Sequence, residues 1–359
     1  MITEAMRRSQ LWYAYQIVVS GEELNVATIH DVAKRAGVAP ITVSRVVNNN
    51  GYVSEDKRQR VEAAIAELNY VPNALGPSLR TKRTQTLALV ISDITNPFWT
   101  TVVRGVEDAA NKQGYHIIIG NTDESPEKEA EYLVFLRKKQ VDGFLLVPAV
   151  SNSLDLLQRF NVPTVVLDRR IPAGTGDNVR CDSLAGASAL TKHLLDLGHR
   201  RIAVITGRQA HSTAVDRVEG FRQALAQFGL NPADSSVYWG EFSRQSGYEL
   251  AQQALRAEPC PTAIFATNNF IAIGAVHALR EAGVRIPEQM SVVAFDDLPP
   301  AMMIDPFLTV AAQPAYEMGK QAAELLLSRL TGGSSQAYQE IVLPVEIILR
   351  KSSGQAPNL

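Results

Sequence analysis

The spacing of apolar residues changes near residue 86 and divides the chain into two parts. Between residues 28 and 72, apolar positions recur three or four residues apart, which predicts three short helices. Gly37 ends the first helix, Pro40 begins the second, and Ser54 can cap the third. Two short helices joined by a glycine-containing turn, with a third packed across them, are typical of a helix-turn-helix unit. A helical bundle without a DNA role is the alternative.

From Thr86 onward, apolar runs alternate with amphipathic segments. The runs LALVIS, YHIIIG, GFLLV and PTVVLD form a first series, and RIAVIT, TAIFAT and MSVVAFDD belong to a second. Strands that alternate with helices predict parallel sheets covered by helices on both faces. The two series predict two similar open sheets with a cleft between them, in which a ligand binds at the carboxyl ends of the strands.

The uneven distribution of charge favours a DNA-binding role for the first part. The formal net charge of the chain is −2, yet residues 28–83 hold nine basic and five acidic side chains. Such a local excess of basic residues favours nucleic-acid binding, although a solvated surface can show it too. Cys181 and Cys260 lie far apart, which indicates reduced thiols in a cytoplasmic protein. No apolar stretch approaches the roughly 20 residues of a membrane span.

Catalytic and cofactor motifs are missing from the sequence. It contains no GxGxxG, Walker, GxSxG or HExxH motif, and its histidines are scattered. Asp296 and Asp297 are adjacent in a predicted strand, so their side chains point to opposite faces and cannot form an acid–base pair. We therefore predict no enzyme activity, no catalytic residues, no cofactor and no metal site.

Residues from both parts resemble one family. TIHDVAKRAGVAPITVSRVVN and AELNYVPN resemble the DNA-binding headpiece of the lactose/galactose repressor (LacI/GalR) family of bacterial regulators, and LLDLGHRRIAVITG and SVVAFDD continue the likeness. The likeness covers residues 28 to about 350. It implies a small all-α helix-turn-helix headpiece and an α/β body that is similar to periplasmic binding proteins, with two doubly wound parallel-sheet subdomains.

The resemblance also implies a function. It implies a cytoplasmic homodimer that binds palindromic half-sites of operator DNA and represses genes for sugar uptake or catabolism. A small sugar-like effector, expected to be a monosaccharide, would control the affinity for the operator. The alternative effector is a purine or a phosphorylated metabolite. A sugar-binding protein without a regulatory role is a rival class, but such a protein would not need the headpiece.

Domain boundaries follow from the family pattern. We expect an extension over residues 1–27, the headpiece over 28–72, the hinge over 73–85, the body over 86–350 and a tail over 351–359. The first subdomain of the body is expected to take about 86–181 and 312–335, and the second about 182–311 and 336–350. Val26 is similar to a family start and a valine codon can initiate translation, so we hypothesise a start there. A real, disordered extension is the alternative. No heptad repeat follows Arg350, so we expect no coiled-coil tetramer.

The resemblance assigns DNA contacts residue by residue. Pro40 and Ile41 occupy the positions that choose the operator half-site, and both can contact a thymine methyl group. Arg45 can form two hydrogen bonds with guanine, whereas Thr42 and Ser44 are expected to reach phosphates. The complete predicted set is Thr28, Pro40, Ile41, Thr42, Ser44, Arg45, Asn48, Asn73, Leu79 and Arg80.

The hinge departs from the family pattern. Family members wedge a hinge leucine into the minor groove at the centre of the operator, and Leu79 occupies that position. Pro77 follows Gly76 in this hinge, and proline lacks the amide hydrogen that a helix needs. We therefore predict a hinge helix of one turn at most, or an extended hinge, and weaker operator bending than in relatives.

The pocket residues implied by the resemblance suit a sugar. Phe98 or Trp99 on one side and Phe242 on the other can stack on a sugar ring, while carboxylates, guanidinium groups and amides bond to its hydroxyls. Val147-Pro148 replaces the asparagine of ribose-binding proteins, which counts against ribose in particular. The alternatives are core positions for the aromatic rings, helix caps for the aspartates and an ion pair for the arginine. The predicted set is Asn96, Phe98, Trp99, Asp168, Arg169, His211, Arg217, Phe242, Asn268, Asp296 and Gln313.

Overall fold

The computed structural model describes residues 27–71, 83–149, 153–232, 235–298, 305–332 and 337–357, with the backbone alone for 153–156. The chain forms two compact units, with the boundary between Thr84 and Gln85. Residues 1–26 and most of the predicted hinge lie outside the described residues. The predicted DNA contacts Asn73, Leu79 and Arg80, and the Gly76-Pro77 pair, are among these.

The first unit is a bundle of three helices with a shared apolar core. The helices are α1 (Ile29–Ala36), α2 (Pro40–Val47) and α3 (Glu55–Glu67). One valine from each helix, Val32, Val43 and Val61, is fully buried. Each helix alone is too short to be stable in water, so this shared core stabilises all three.

The helix ends of the first unit reflect the local sequence. Thr28 forms a capping box with Asp31, and Gly37 ends α1 in the left-handed region with a φ of 64°. Helix α2 has no side-chain cap, because Ala39 precedes it. Ser54 stands at the predicted N-cap position of α3, but its side chain makes no capping hydrogen bond.

The second unit begins with a parallel sheet and its helices. The strands are β1 (Thr86–Ile91), β2 (His116–Asn121), β3 (Gly143–Leu146), β4 (Thr164–Leu167) and β5 (Asp177–Cys181). The connecting helices are α4 (Pro97–Lys112), α5 (Pro126–Lys138) and α6 (Ser153–Phe160). This sheet and its helices form the first subdomain.

The second subdomain repeats the plan. Its strands are β6 (Ile202–Thr206), β7 (Ser236–Trp239), β8 (Ala263–Ala266), β9 (Ser291–Phe295) and β10 (Thr309–Ala312). Its helices are α7 (Ser183–Asp196), α8 (Ser212–Gln227), α9 (Arg244–Leu255) and α10 (Asn269–Glu281). The chain ends with α11 (Ala315–Thr331), β11 (Glu340–Leu343) and β12 (Glu346–Ile348).

The two sheets have the same strand order. The first is β11-β5-β4-β3-β1-β2, and the second is β12-β10-β9-β8-β6-β7. The strands β3, β6, β8 and β9 are buried along their whole length, since helices cover both faces. Burial on both faces explains why these strands read as continuous apolar runs. The predicted pair of similar parallel sheets is confirmed.

The C-terminal part of the chain alternates between the subdomains. Helix α11 packs along α4, where a Cβ on Gly319 would lie 2.1 Å from the backbone oxygen of Val102. Strand β11 then pairs in parallel with β5 of the first sheet, and β12 pairs antiparallel with β10 of the second. The assignment of residues 336–350 to the second subdomain is therefore wrong for Glu340–Leu343. A two-residue link between β11 and β12 carries the chain across, which no pattern in the sequence marks.

The predicted tail is packed against the second sheet. Ser352 is fully buried, and its hydroxyl accepts a hydrogen bond from the Thr309 amide at 2.8 Å and donates to the Val292 oxygen at 2.6 Å. The Ala356 amide donates to the Leu197 oxygen at 2.8 Å. Residues up to 357 therefore belong to the second subdomain. Among the described residues, no helix is long and apolar enough to cross a membrane.

Candidate functional site

A cavity of about 550 Å³ lies between the two subdomains of the body. Its wall is built at the carboxyl ends of the strands, as expected for open parallel sheets. Ten of the eleven predicted pocket residues line it: Asn96, Phe98, Trp99, Asp168, Arg169, Arg217, Phe242, Asn268, Asp296 and Gln313. His211 is the exception. The volume is within the range of small-molecule sites.

Two aspartates occupy equivalent places in the wall. Asp168 follows β4 and Asp296 follows β9, and these strands hold the same position in their sheets. Both residues have a left-handed backbone, with φ values of 63° and 67°. Their amides bond in the same way to the next strand, from Asp168 to Val179 at 2.9 Å and from Asp296 to Ala311 at 3.0 Å. A strained conformation at both positions turns the carboxylates into the cavity and is typical of functional sites.

Burial perturbs both carboxyl groups. It raises the pKa of Asp168 to about 6, although Arg217 and Arg169 oppose the shift. It also raises the pKa of Asp296, against the opposing effects of Arg217 and a hydrogen bond from Gln313. Perturbed carboxyl groups in a cavity are candidates for ligand contacts. Within the described residues neither aspartate caps a helix, so the helix-cap alternative finds no support there.

Arg217 lies between the ring of Phe295 and the carboxylate of Asp296. Its Cζ is 3.9 Å from the ring centroid, its Nη1 donates to the Thr267 oxygen at 2.6 Å, and the same nitrogen is 3.9 Å from Asp296 Oδ2. Its Nε is buried and has no hydrogen-bond partner within the described part of the chain. The guanidinium group is therefore a structural partner of Asp296 that also faces the cavity.

Arg169 is held by Glu124, a residue that was not predicted. Its Nη2 donates to both carboxylate oxygens of Glu124 at 2.6 and 2.5 Å, and its Nη1 donates to the Pro148 oxygen. His211 Nε2 lies 3.5 Å from Glu124 Oε2, across the cleft between the subdomains. Burial lowers the pKa of His211 to about 4. His211 is therefore a neutral residue behind the wall rather than a lining residue.

The aromatic side chains lie on two sides of the cavity. Phe98 and Trp99 meet edge to face with centroids 4.8 Å apart, and Phe242 stacks on His211 at 6.0 Å. Trp99 is only 5% exposed and also belongs to the core of the first subdomain. Its core role and its lining role therefore coexist. The arrangement leaves one aromatic wall in each subdomain.

The two predicted asparagines have structural roles. Asn96 caps α4 by accepting from the Phe98 amide at 3.0 Å, and Asn268 caps α10 by accepting from the Ile271 amide at 3.0 Å. Asn96 also exchanges hydrogen bonds of 3.2 and 3.0 Å with Asn269 across the cleft. Their predicted role as ligand contacts is thus limited to the side-chain hydrogen-bonding atoms that these bonds do not already engage. Asn269 was not in the predicted set of pocket residues.

The remaining lining residues add charge and hydroxyl groups. Arg208 and Glu241, both about half-exposed, form an ion pair with bonds of 2.6 and 2.7 Å. Asp93 accepts from the amide and hydroxyl of Thr95 at 2.8 and 2.7 Å. The lining residues outside the predicted set are Ser92, Asp93, Thr95, Asp123, Glu124, Arg208, Thr213, Glu241 and Ser243.

Two further aspartates and one histidine of the body have structural roles. Asp182 caps α7 through the Ala185 amide, and Asp297 forms two bonds of 2.7 and 2.6 Å with Arg350. His199 is fully buried and bonded to Thr262 at 2.9 Å. Within the described residues, no group of histidine, cysteine or carboxylate side chains could hold a metal ion.

The first unit presents a second candidate surface. On α2, Ile41 is 60% exposed, and Arg45 and Asn48 are also exposed. Asn48 Nδ2 donates to the Ser44 oxygen at 2.8 Å, so part of its amide is occupied. In the loop before α3, Tyr52 is 90% exposed. An exposed apolar side chain on α2 and an exposed aromatic side chain in the loop before α3 are suited to contact with another molecule.

The other predicted contacts of the first unit are less available. The Thr28 hydroxyl donates to the Asp31 carboxylate at 2.6 Å as part of the capping box. Pro40, Thr42 and Ser44 are partly buried. Tyr52 was not predicted, because a single tyrosine in a polar loop carries no periodic signal.

Family models match both units of the chain. A model described as bacterial regulatory proteins of the lacI family matches residues 28–73. A model described as periplasmic binding proteins and the sugar binding domain of the LacI family matches residues 84–345.

Individual proteins are similar over nearly the whole chain. The HTH-type transcriptional repressor PurR of Haemophilus influenzae (strain PittEE) is 38% identical over 332 residues, which are 91% of this chain and 98% of that protein. The ribose operon repressor of Escherichia coli (strain K12) is 37% identical over 323 residues, which are 89% of this chain and 98% of that protein. Among solved structures, the lac repressor dimer bound to operator and the anti-inducer ONPF has a TM-score of 0.78 and 28% identity, covering 92% of this chain and 100% of that chain.

Proposed function

Because the chain belongs to the LacI family of bacterial regulatory proteins, we propose that it represses genes for sugar uptake or catabolism. In this proposal, a sugar-like effector in the cavity controls the affinity of the first unit for operator DNA. Membership of the family makes the chain an effector-controlled, DNA-binding transcriptional regulator rather than an enzyme. It acts in the cytoplasm, where bacterial DNA is found.

The main support for a sugar is the pair of equivalent aspartates in one cavity. Asp168 and Asp296 approach from different subdomains, and Arg217 lies beside one of them. Carboxylate and guanidinium groups form charge-assisted hydrogen bonds with hydroxyl groups. Phe242 and Trp99 supply aromatic surface for the C–H faces of a ring. A ligand with hydroxyl groups around its rim matches this set.

Operator recognition is assigned to α2 of the first unit. In a helix-turn-helix unit the second helix enters the major groove and its N-terminal residues reach the bases. The exposure of Ile41 supports contact with a thymine methyl group, and the exposed Arg45 can reach guanine. Thr42, Ser44 and Asn48 are assigned to phosphates, and Tyr52 is added to this group.

The remaining DNA contacts depend on residues outside the described part of the chain. Leu79 is assigned to the centre of the operator, and Asn73 and Arg80 to its flanks. These assignments rest on the position of the residues in the family pattern alone.

The functional form is proposed to be a homodimer. Strand β2 is at the edge of the first sheet and leaves Ile118 37% exposed, and the neighbouring helix α5 leaves Val134 and Phe135 39% and 49% exposed. Apolar residues on an edge strand and the adjacent helix favour association with a second copy. A dimer also suits palindromic half-sites, because each copy reads one half.

A purine effector is the second candidate. It is favoured by the similarity to the PurR repressor of Haemophilus influenzae. A purine would use the aromatic walls and fewer of the carboxylates than a sugar. The two candidates therefore predict different ligands in the same binding assay.

Thermal unfolding of the full chain with a ligand panel tests the proposal. The panel contains pentoses, hexoses and nucleobases, and a ligand at a hundred times its Kd stabilises the folded state by about 2.7 kcal/mol. We expect a shift with a free sugar that is lost in Asp296→Asn and kept in Asp305→Asn, whose side chain is 71% exposed. A shift with nucleobases alone would support the purine candidate. No shift with any sugar would contradict the sugar proposal.

A further inference from the structure

The charged side chains of the cavity limit the ligands that it can take. We propose that the cavity accepts neutral, hydroxyl-rich ligands and rejects ligands that carry phosphate or carboxylate groups, and that Glu124 sets this selectivity by occupying the guanidinium group of Arg169. The proposal deepens the effector role described above and rests on it. Three observations support it: the excess of carboxylates in the cavity wall, the pairing of each arginine with a carboxylate, and the Asp168 carboxylate, which accepts no hydrogen bond within the described residues.

Carboxylates outnumber guanidinium groups in the cavity wall. The wall holds three arginines and six acidic residues: Asp93, Asp123, Glu124, Asp168, Glu241 and Asp296. An anion that enters such a wall meets like charges at low dielectric, which is costly. A neutral ligand with hydroxyl donors avoids this repulsion and can satisfy the carboxylate oxygens.

Arg169 would be a suitable anion site if Glu124 were absent. Its side chain is 6% exposed, and Glu124 takes both bonds of Nη2 while Pro148 takes Nη1. Its Nε is buried and has no partner within the described residues. Glu124 therefore supplies the carboxylate that a ligand anion would otherwise supply. A phosphate would have to displace it and leave a partly buried glutamate without its partner.

The other two guanidinium groups are also engaged. Arg208 donates from Nε to both oxygens of Glu241. Arg217 donates to Thr267 and lies 3.9 Å from Asp296. Each arginine of the wall thus has a carboxylate neighbour of its own. The second subdomain repeats the arrangement of the first in this respect.

Asp168 is the acceptor that remains. Within the residues described by the structure, no side chain or backbone group donates a hydrogen bond to its carboxylate. An ionised carboxylate can only accept hydrogen bonds, so a ligand must bring donors to it. Hydroxyl groups supply donors without charge, whereas phosphate oxygens at neutral pH are mainly acceptors. The free carboxylate therefore favours a polyol and disfavours an anion.

Calorimetric titration of the full chain with inorganic phosphate and D-ribose 5-phosphate tests the proposal. The wild type is expected to show no saturable binding of either probe. Glu124→Gln keeps the size of the side chain and removes its charge, which frees Arg169. We expect this variant to bind phosphate saturably, at least about tenfold more tightly than the upper limit on affinity that the wild-type titration sets. Equal phosphate binding by the variant and the wild type would overturn the proposal.

Glu340→Gln is the matched control. Glu340 pairs with Arg180 at 2.7 Å on the edge strand β11, away from the cavity wall. Its removal frees a guanidinium group in the same way, but outside the cavity. A gain of phosphate binding in Glu340→Gln as large as in Glu124→Gln would mean a non-specific effect and overturn the proposal. No gain in the control supports the cavity as the site.

Glu241→Gln provides a second test of the cavity in case Glu124→Gln does not fold. Glu241 is about half-exposed, so its neutral variant should fold, and it frees Arg208 of the same wall. We expect a smaller gain of phosphate binding, since exposed pairs are screened by solvent. Saturable phosphate binding by the wild type itself would sink the proposal without any variant. A panel in which no sugar binds would contradict the sugar effector, yet the phosphate titrations would still measure the selectivity.

Discussion

The two subdomains of the body share a strand order but hold their equivalent aspartates differently. Asp168 and Asp296 follow corresponding strands, with nearly the same φ and the same backbone hydrogen bond. Asp296 accepts a bond from Gln313 and lies beside Arg217. The carboxylate of Asp168 has no such bond among the described residues. The carboxylate of the second subdomain is therefore already oriented by its neighbours. The Asp168 carboxylate of the first subdomain is free to accept hydrogen bonds from a ligand.

This difference indicates a division of labour between the subdomains. Direct contacts already link them across the cleft, from Asn96 to Asn269 and from Arg170 to Asp216. A ligand that fills the cavity and bonds to Asp168 would add to these links. It would favour the arrangement with the cleft closed only if it binds that arrangement more tightly. We expect the ligand to be oriented by the second subdomain and sensed by the first.

The largest effect is expected at glycines that let helices touch in both subdomains. A Cβ on Gly319 of α11 would lie 2.1 Å from the Val102 oxygen of α4, and one on Gly274 of α10 would lie 2.0 Å from the Arg244 oxygen of α9. Gly319→Ala and Gly274→Ala should each lower the free energy of unfolding by about 3 kcal/mol, because backbone has to move. Urea unfolding measures both losses.

Gly176→Ala is the control for these two variants. A Cβ there would approach only the flexible end of Ile171, at 3.3 Å. We expect a change of less than about 1 kcal/mol. If Gly319→Ala and Gly274→Ala were no worse than Gly176→Ala, the close helix contacts would stabilise neither subdomain.

Neutralising the two aspartates should separate the roles of the subdomains in ligand binding. Asp296→Asn disturbs the preorganised set around Arg217, whereas Asp168→Asn removes one acceptor only. We expect the affinity for the effector to fall about a hundredfold in Asp296→Asn and about tenfold in Asp168→Asn. Calorimetry with the sugar identified by thermal unfolding gives both values. A larger loss in Asp168→Asn would reverse the proposed division of labour.

Asp168→Asn should also change how the stability of the protein depends on pH. Burial raises the pKa of Asp168 from 3.8 to about 6, so the folded state holds its proton more tightly than the unfolded state does. Stability therefore falls as the pH rises from about 4 to 6, and the loss persists above pH 6. Asp168→Asn should raise the free energy of unfolding by about 2 kcal/mol at pH 7 and by little near pH 4. Urea unfolding at both pH values tests this, and a gain of equal size at both would contradict it.

The sequence predicted the layout of the body because its strands are buried on both faces. Continuous apolar runs such as those of β6 and β9 mark parallel strands, and their carboxyl ends locate the cavity. The family pattern then identified ten residues that line the cavity. The exact residue at which some helices of the body begin, such as Ser212 for α8, was not predicted.

The contacts between side chains were beyond prediction. Glu124 follows an edge strand in a polar loop, and its pairing with Arg169 depends on how two loops of the first subdomain meet. His211 was assigned to the pocket, but the stacking of Phe242 places it behind the wall. The place of β11 in the first sheet likewise depends on long-range pairing rather than on local pattern.

The smallest expected effect concerns the C-terminal segment, which is packed on the second sheet. The Ser352 hydroxyl accepts from the Thr309 amide and donates to the Val292 oxygen, both in the buried part of the sheet. Ser352→Ala leaves that amide without a partner and should lower the free energy of unfolding by about 1–2 kcal/mol. Lys351→Ala is the control, since its side chain is 74% exposed and its ion pair is on the surface. Equal urea midpoints for the two variants would mean that the C-terminal segment does not stabilise the second subdomain. A loss of stability confined to Ser352→Ala would mean that the C-terminal segment stabilises the sheet of the second subdomain, in addition to the helices that cover it.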